Sequence, residues 1–197
     1  VKEELELKRS LFETLVSIVP AHAILASNTS TLRIRDLAPA DARARTVGLH
    51  FFSPVPAMKL VELAYLEESD EAQVARARQF VEELGKTPVP VVDSCGFIVN
   101  RLLVPYLLGA ISAFSRELAP ADAIDTAMTL GCGHPVGPLM LSDLIGLDIV
   151  YAMSKLLYQE FGDDRFRHRG AHRSEHRKQR RDPRHRCRRC RRRPRDR

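Results

Sequence analysis

The sequence predicts an α/β layer followed by an all-α layer. Through about residue 94, short β-branched apolar runs alternate with stretches of helical periodicity. From Cys95 to about residue 164 the apolar residues recur only at helical spacing. After Phe166 there is no Leu, Ile, Val, Met or aromatic residue, so nothing there can build a core. Strands alternating with helices, then helices alone, imply two joined layers with a boundary near 94–97. The expected organisation is an α/β domain over 1–95, a helical domain over 96–164, and a disordered Arg-rich tail over 165–197.

The elements follow in order. Apolar residues at Leu5, Leu7, Leu11, Phe12, Leu15, Val16 and Val19 predict a helix over 3–19, closed by Pro20. "AILA" (23–26) is a short buried-type strand that runs into the polar "SNTS". "TLRIRDLAPADA" is short and partly helical. "TVGLHFF" and "MKLVELAYL" are strands. "SDEAQVARARQFVEELGK" is a helix with Ser69 or Asp70 as N-cap and Gly85 as its stop. "TPVPVVD" is a further strand. "GFIVNRLLVPYLLGAISAFSREL" is a long helix in which Pro105 predicts a kink near residue 101. "APADAIDTAMTLG" is a second helix, stopped at Gly131. "PLMLSDLIGLDIVYAMSKLLYQEFG" reads as a third.

Composition narrows the class. At 197 residues the chain supports one ordinary core or two small ones. No apolar run is long enough to span a bilayer, and no secretory signal is visible. Cys95, Cys132, Cys187 and Cys190 do not form a disulfide framework, so a reducing cytoplasm is expected. Cys95 and Cys132 both read as small buried residues. Of 31 Lys+Arg and 25 Asp+Glu, residues 165–197 hold 17 and 3, leaving 14 against 22. The globular part is therefore acidic, and the formal charge of +6 comes from the tail.

Two stretches carry candidate chemistry. In parallel sheets ligands gather beyond the carboxyl ends of strands, and "AILASNTS" places four small polar residues there. Ser30 could meet a substrate hydroxyl and Asn28 could brace the loop. An ordinary Ser/Asn turn is the alternative. "GLHFFSPVPAMKLVEL" (48–63) reads as strand, Pro-bounded turn, strand, with His50 in one strand and Glu62 in the other. A carboxylate on one ring nitrogen fixes an imidazole's tautomer and leaves the other nitrogen for proton transfer. The alternative is a satisfied core histidine and a glutamate on a wet edge. "GCGHPVG" (131–137) follows a helix and has Val136 where a third glycine belongs, so it is not a phosphate loop.

Taken together, "ILASNTSTL", "GLHFFSPVPAMKLVEL", "GKTPVPVVDSCGFIVNRLLVPYL" and "AIDTAMTLGCGHPVGPLMLSDLIGLD" resemble the 3-hydroxyacyl-CoA dehydrogenase family. Within that family the motifs resemble those of the short bacterial 3-hydroxybutyryl-CoA dehydrogenases. The resemblance implies a Rossmann-like NAD-binding domain followed by a helical substrate and dimerisation domain. It implies oxidation of a (3S)-3-hydroxyacyl-CoA to the 3-ketoacyl-CoA with hydride passing to NAD, in fatty acid metabolism. By the same resemblance His50 is the acid/base, Glu62 its paired acid, Ser30 the contact to the substrate hydroxyl and nicotinamide region, and Asn100 the active-site residue from the helical domain. Glu3, Lys8 and Ser53 fall at cofactor-side positions, and the family's homodimer is the expected assembly.

The chain departs from the family pattern in three places. The opening βαβ unit with its glycine-rich phosphate loop is missing, which reads as an N-terminal truncation and predicts little activity from this chain alone. "HFFSP" stands where the family has "HFFNP", so Ser53 offers a shorter contact than asparagine. After "YQEFGDDRF" the family ending is replaced by the Arg-rich run, as a frameshift in GC-rich DNA would produce. A competing reading is a non-catalytic remnant whose basic tail binds nucleic acid, non-specifically through phosphate contacts. "HRCRRC" supplies only half a zinc site, so no metal is expected.

Overall fold

A computed structural model describes residues 3–167. The α/β part begins with helix α1 (Leu5–Ile18), strand β1 (Leu25–Ser27) and a single-turn helix α2 (Ile34–Leu37). A 3₁₀ segment (Ala40–Arg45) leads into β2 (Thr46–Phe51), which turns back as β3 (Leu60–Tyr65). Helix α3 (Glu71–Glu83) and strand β4 (Thr87–Val92) complete it. Asp70 is the N-cap of α3, its side chain accepting from the Ala72 amide, while the Ser69 hydroxyl accepts from Leu66. Gly85, at φ +70, follows the helix end as a left-handed stop.

The sheet has four strands in the order β1-β2-β3-β4. It is mixed: β1/β2 and β3/β4 are parallel, and β2/β3 is antiparallel because a tight hairpin joins them. β4 is an edge among the described residues, which suits Pro88 and Pro90 because neither has an N–H to donate.

Strand periodicity sorts β2 and β3 onto two faces. Val47, Leu49, Val61 and Leu63 pack against Ala77 and Val81 of α3. The opposite face carries Gly48, His50, Glu62 and Ala64, with Ala64 in a cluster with Ile34, Leu37, Leu66 and Phe97. Gly48 is required for close approach. A Cβ there would lie 2.9 Å from both the Ala64 Cβ and the Ile34 Cδ1. Asp93, just past β4, ties α2 to the sheet by accepting from the Ile34 and Arg35 amides at 2.7 and 2.9 Å. Burial pushes its carboxyl up, and the two amides only partly offset this.

The helical part comprises α4 (Val99–Ser115), α5 (Ala121–Cys132), α6 (Pro138–Ile145) and α7 (Leu147–Phe161). Its core joins Val104, Leu107 and Leu108 of α4 to Val150, Met153 and Leu157 of α7, with Cys95 and Phe166. Four sequence expectations change. The third helix is two helices, divided at Gly146, whose φ of 100° breaks the helical path. Helix α5 ends one residue after Gly131, with left-handed Gly133 as its cap. Cys132 is exposed, since it sits in that last turn; Cys95 is buried as expected. Phe166, assigned to the tail, is buried in a 3₁₀ turn (Asp164–Phe166) against Phe161, with ring centroids 5.7 Å apart. Helix α4 is one continuous element through Pro105. Residues 168–197 of the tail lie outside the described residues.

Candidate active site

The β2/β3 hairpin sets His50 directly opposite Glu62. Their side chains share a face, and the imidazole Nδ1 lies 2.7 Å from Glu62 Oε2. His50 is 5% exposed and Glu62 0%, so Glu62 is no wet-face residue. A carboxylate offers only acceptors, which puts the ring proton on Nδ1 and leaves the Nε2 lone pair free. Nε2 has no partner among the described residues. Two aromatic rings flank the imidazole: Phe52 at 4.4 Å between centroids and Phe97 at 5.9 Å.

Glu62 has a second task that its sequence position does not show. Its Oε1 accepts from the Ile98 and Val99 amides at 2.9 and 2.8 Å. These belong to the start of α4, where Ile98 supplies no side-chain cap. Amides at a helix start lack intrahelical acceptors, and the helix dipole there favours an anion. The buried carboxylate is thus stabilised by two amides and the imidazole together. The same helix turn carries Asn100, 8% exposed, whose Nδ2 donates to the Ser30 carbonyl at 3.0 Å. Helix α4 therefore reaches both the His50–Glu62 pair and the polar loop after β1.

That loop is held from three sides. Asn28 Oδ1 accepts from the Phe51 amide at 3.0 Å, bracing the loop on β2 beside His50. Glu3 accepts from the Thr29 hydroxyl, from the Ser30 amide at 2.9 Å and from the Thr31 amide at 3.3 Å. It also pairs with the buried ammonium of Lys8. Burial by itself pushes the Glu3 carboxyl up. The Lys8 ammonium and the hydroxyl and amide donors outweigh this and hold it below the ordinary carboxylate range. The Ser30 hydroxyl has no partner among the described residues.

His50, Glu62, Ser30, Asn100, Glu3 and Lys8 thus form one hydrogen-bonded constellation. Ser53 stands apart, exposed in the turn after β2. That turn is clamped by Lys86, whose Nζ donates to the Val55 and Met58 carbonyls at 2.7 and 2.9 Å. Lys86, Thr29 and Phe97 were not singled out by sequence reasoning. For Phe97 a signal existed: the "GF" step immediately before a helix.

The donor set can be compared with the cofactor that the sequence suggests. The Ser30 hydroxyl and the His50 Nε2 are polar groups open to a ligand, whereas Glu3 is engaged by Thr29, Ser30, Thr31 and Lys8. The pyrophosphate needs backbone amides at a glycine-rich helix start, and among the described residues no Gly-x-Gly-x-x-Gly follows a strand. The described residues therefore offer open polar groups for a hydroxyl-bearing ligand and no phosphate cradle.

Comparison with known proteins gives two family matches. Residues 1–94 match the NAD binding domain of 3-hydroxyacyl-CoA dehydrogenase, and residues 96–181 match its C-terminal domain. The 3-hydroxybutyryl-CoA dehydrogenase of Clostridioides difficile is 40% identical over 165 residues, which is 83% of this chain and 59% of that protein. The mitochondrial hydroxyacyl-coenzyme A dehydrogenase of Homo sapiens is 48% identical over 149 residues, 75% of this chain and 48% of that one. Among solved structures, the (S)-3-hydroxybutyryl-CoA dehydrogenase PaaH1 of Ralstonia eutropha superposes with a TM-score of 0.80 at 39% identity. That match covers 85% of this chain and 59% of that one. The chain spans about three-fifths of the length of the bacterial relatives it matches.

Proposed function

Because this chain belongs to the 3-hydroxyacyl-CoA dehydrogenase family, we propose that it carries the proton-transfer half of an NAD-dependent oxidation of short-chain (3S)-3-hydroxyacyl-CoA to 3-ketoacyl-CoA. The observation that carries this reading is the buried contact of 2.7 Å between His50 Nδ1 and Glu62 Oε2, with Nε2 left free. In the oxidation Nε2 takes the substrate's hydroxyl proton as the C3–H bond breaks. Glu62 stabilises the imidazolium that forms, because its carboxylate already sits on the Nδ1–H. The Ser30 hydroxyl orients the substrate oxygen. Asn100 keeps the Ser30 backbone in place from the helical side. Glu3 and Lys8 set the ribose side of the loop. NAD, when bound, accepts the hydride.

The test uses acetoacetyl-CoA reduction followed by NADH absorbance. The 197-residue chain, with no phosphate loop of its own sequence, is expected to turn over little. Fusing a βαβ unit with the glycine-rich phosphate loop of the family pattern to its N-terminus is expected to raise activity. His50→Gln in that fusion is expected to cost ~10²–10⁴-fold, the usual size of a general acid–base contribution. A folded fusion with no turnover, or full activity after His50→Gln, would refute the reading.

We also infer a homodimer through the helical part. Leu130, Leu144, Met140, Leu147 and Ile149 on α5–α7 are half or more exposed, large apolar side chains that a partner subunit could cover. Sedimentation of the chain as a monomer at micromolar concentration would refute it. Among the described residues no helix is long and apolar enough to cross a membrane. A cytoplasmic location is part of the proposal.

A further inference from the structure

The connection from β4 to α4 contains a backbone feature that the proposed reaction has not yet used. Gly96 has φ +71 and Phe97, the next residue, has φ 44. Glycine takes this left-handed conformation freely. Phenylalanine does not, because its Cβ crowds the backbone, and such residues persist only where their surroundings impose them. Gly96 is held to glycine, since a Cβ there would be 2.8 Å from Leu157 Cδ2 of α7. The Phe97 ring is 2% exposed and packs with Ile34, Leu37, Ala64 and Leu66.

Two consequences meet at the same place. The ring forms one wall of the imidazole pocket, 5.9 Å from His50 between centroids and tilted by 48°. The reversed backbone turns the chain, so that the two amides after Phe97, those of Ile98 and Val99, point back at Glu62 Oε1. The Phe97 amide itself closes the turn by donating to the Ser94 carbonyl at 3.1 Å. One residue therefore contacts the base through its side chain and directs the donors on the base's partner through its main chain.

We propose that Phe97 is a positioning residue for the His50–Glu62 pair, its buried ring holding the left-handed turn that aims the Ile98 and Val99 amides at Glu62. An apolar residue that merely filled the core would need neither the conformation nor the imidazole contact. The catalytic meaning of this role rests on the proposed function. The geometry does not, and it can be read without substrate or cofactor.

The experiment follows the His50 Nδ1–H proton by NMR in the full 197-residue chain labelled with ¹⁵N-histidine. The signal is assigned among the seven histidines by its loss in His50→Gln. Phe97→Leu keeps apolar bulk and the fold but loses the flat wall. Phe97→Gly relieves the backbone and removes the ring. Val81→Ala, in α3 where it packs on the opposite face of the sheet, is the control for general core loosening. Expected in Phe97→Leu is exchange of the Nδ1–H with water at least roughly tenfold faster than in the wild type, as local opening requires. Phe97→Gly should show the same or a lost signal, and Val81→Ala a signal like the wild type. An unchanged signal in Phe97→Leu would overturn the proposal, as would an equal change in Val81→Ala. Phe97→Leu decides the matter if Phe97→Gly does not fold. A failed turnover assay would leave this result standing, and failure here would leave the proposed reaction standing.

Discussion

Replacing Glu62 with glutamine changes one atom of a buried side chain and reverses one hydrogen bond. The amide oxygen can still accept from Ile98 and Val99, as Oε1 does at 2.9 and 2.8 Å. The NH₂ then occupies the place of Oε2, 2.7 Å from the imidazole Nδ1. An NH₂ only donates, so Nδ1 must give up its proton and the ring proton moves to Nε2. The nitrogen meant to receive a proton is then already protonated. Three charge-assisted bonds of ~1.5–3 kcal/mol become neutral ones of ~0.5–1.5 kcal/mol, partly offset because a neutral amide is easier to bury. A net loss of about 1–3 kcal/mol is expected, small enough for the protein to remain folded. Glu62→Ala differs in kind. It strands two amides and an imidazole N–H away from water, at ~1–3 kcal/mol each. Imidazole ¹⁵N shifts report the tautomer, and urea unfolding reports stability. In a catalytically competent fusion, Glu62→Gln is expected to cost on the order of 10²–10⁴-fold in turnover, as for a mis-set catalytic histidine. A His50 that keeps its proton on Nδ1 in Glu62→Gln would refute this reasoning. So would Glu62→Gln and Glu62→Ala losing equal stability.

Three further outcomes are expected. Glu3 has a folded-state carboxyl held below its ordinary value of 4.5, so it stabilises the fold above that pH and loses the contribution as pH falls through the lower folded value. Urea unfolding of wild type and Glu3→Gln should differ at pH 6 and converge towards pH 3. Burial pushes the Cys95 thiol up to about 11, so at pH 8 iodoacetamide should label exposed Cys132 in the native protein while Cys95 reacts only after unfolding, as peptide mass mapping would show. Gly48→Ala places a methyl against Ala64 and Ile34, neither of which can swing far. A loss of about 1–3 kcal/mol in chemical unfolding is expected, with the His50 signals displaced.

The strand, Pro-bounded turn and strand that carry His50 and Glu62 were legible, while the pairing itself was implied by the family resemblance, with a core histidine and a wet-edge glutamate open as the alternative. A strand's period of two then decides which face each occupies. The helix stop at Gly85 and an N-cap at Ser69 or Asp70 were legible for a similar reason, since they depend on a few neighbouring residues; the structure takes Asp70. The break between α6 and α7 has a local signal: Gly146 is followed by Leu147 and Asp148, an acid in a new first turn. Other features had no local signal. Asn100 meets the Ser30 carbonyl across 70 residues, and Glu62 caps a helix that starts 37 residues later. Glu3 spends its oxygens on a loop more than twenty residues away.

The sequence by itself determined the fold class, strands alternating with helices and then helices alone, and the residue types in the β2–β3 hairpin, because each follows from short-range periodicity and local backbone preference. Only the tertiary structure decided that Glu62 serves the imidazole and the α4 amides at once, and that Phe97 is held left-handed beside them. Those depend on which buried donors find which acceptors when the layers close. A polar group removed from water must be satisfied by whatever the fold brings near, and chain distance does not enter that condition.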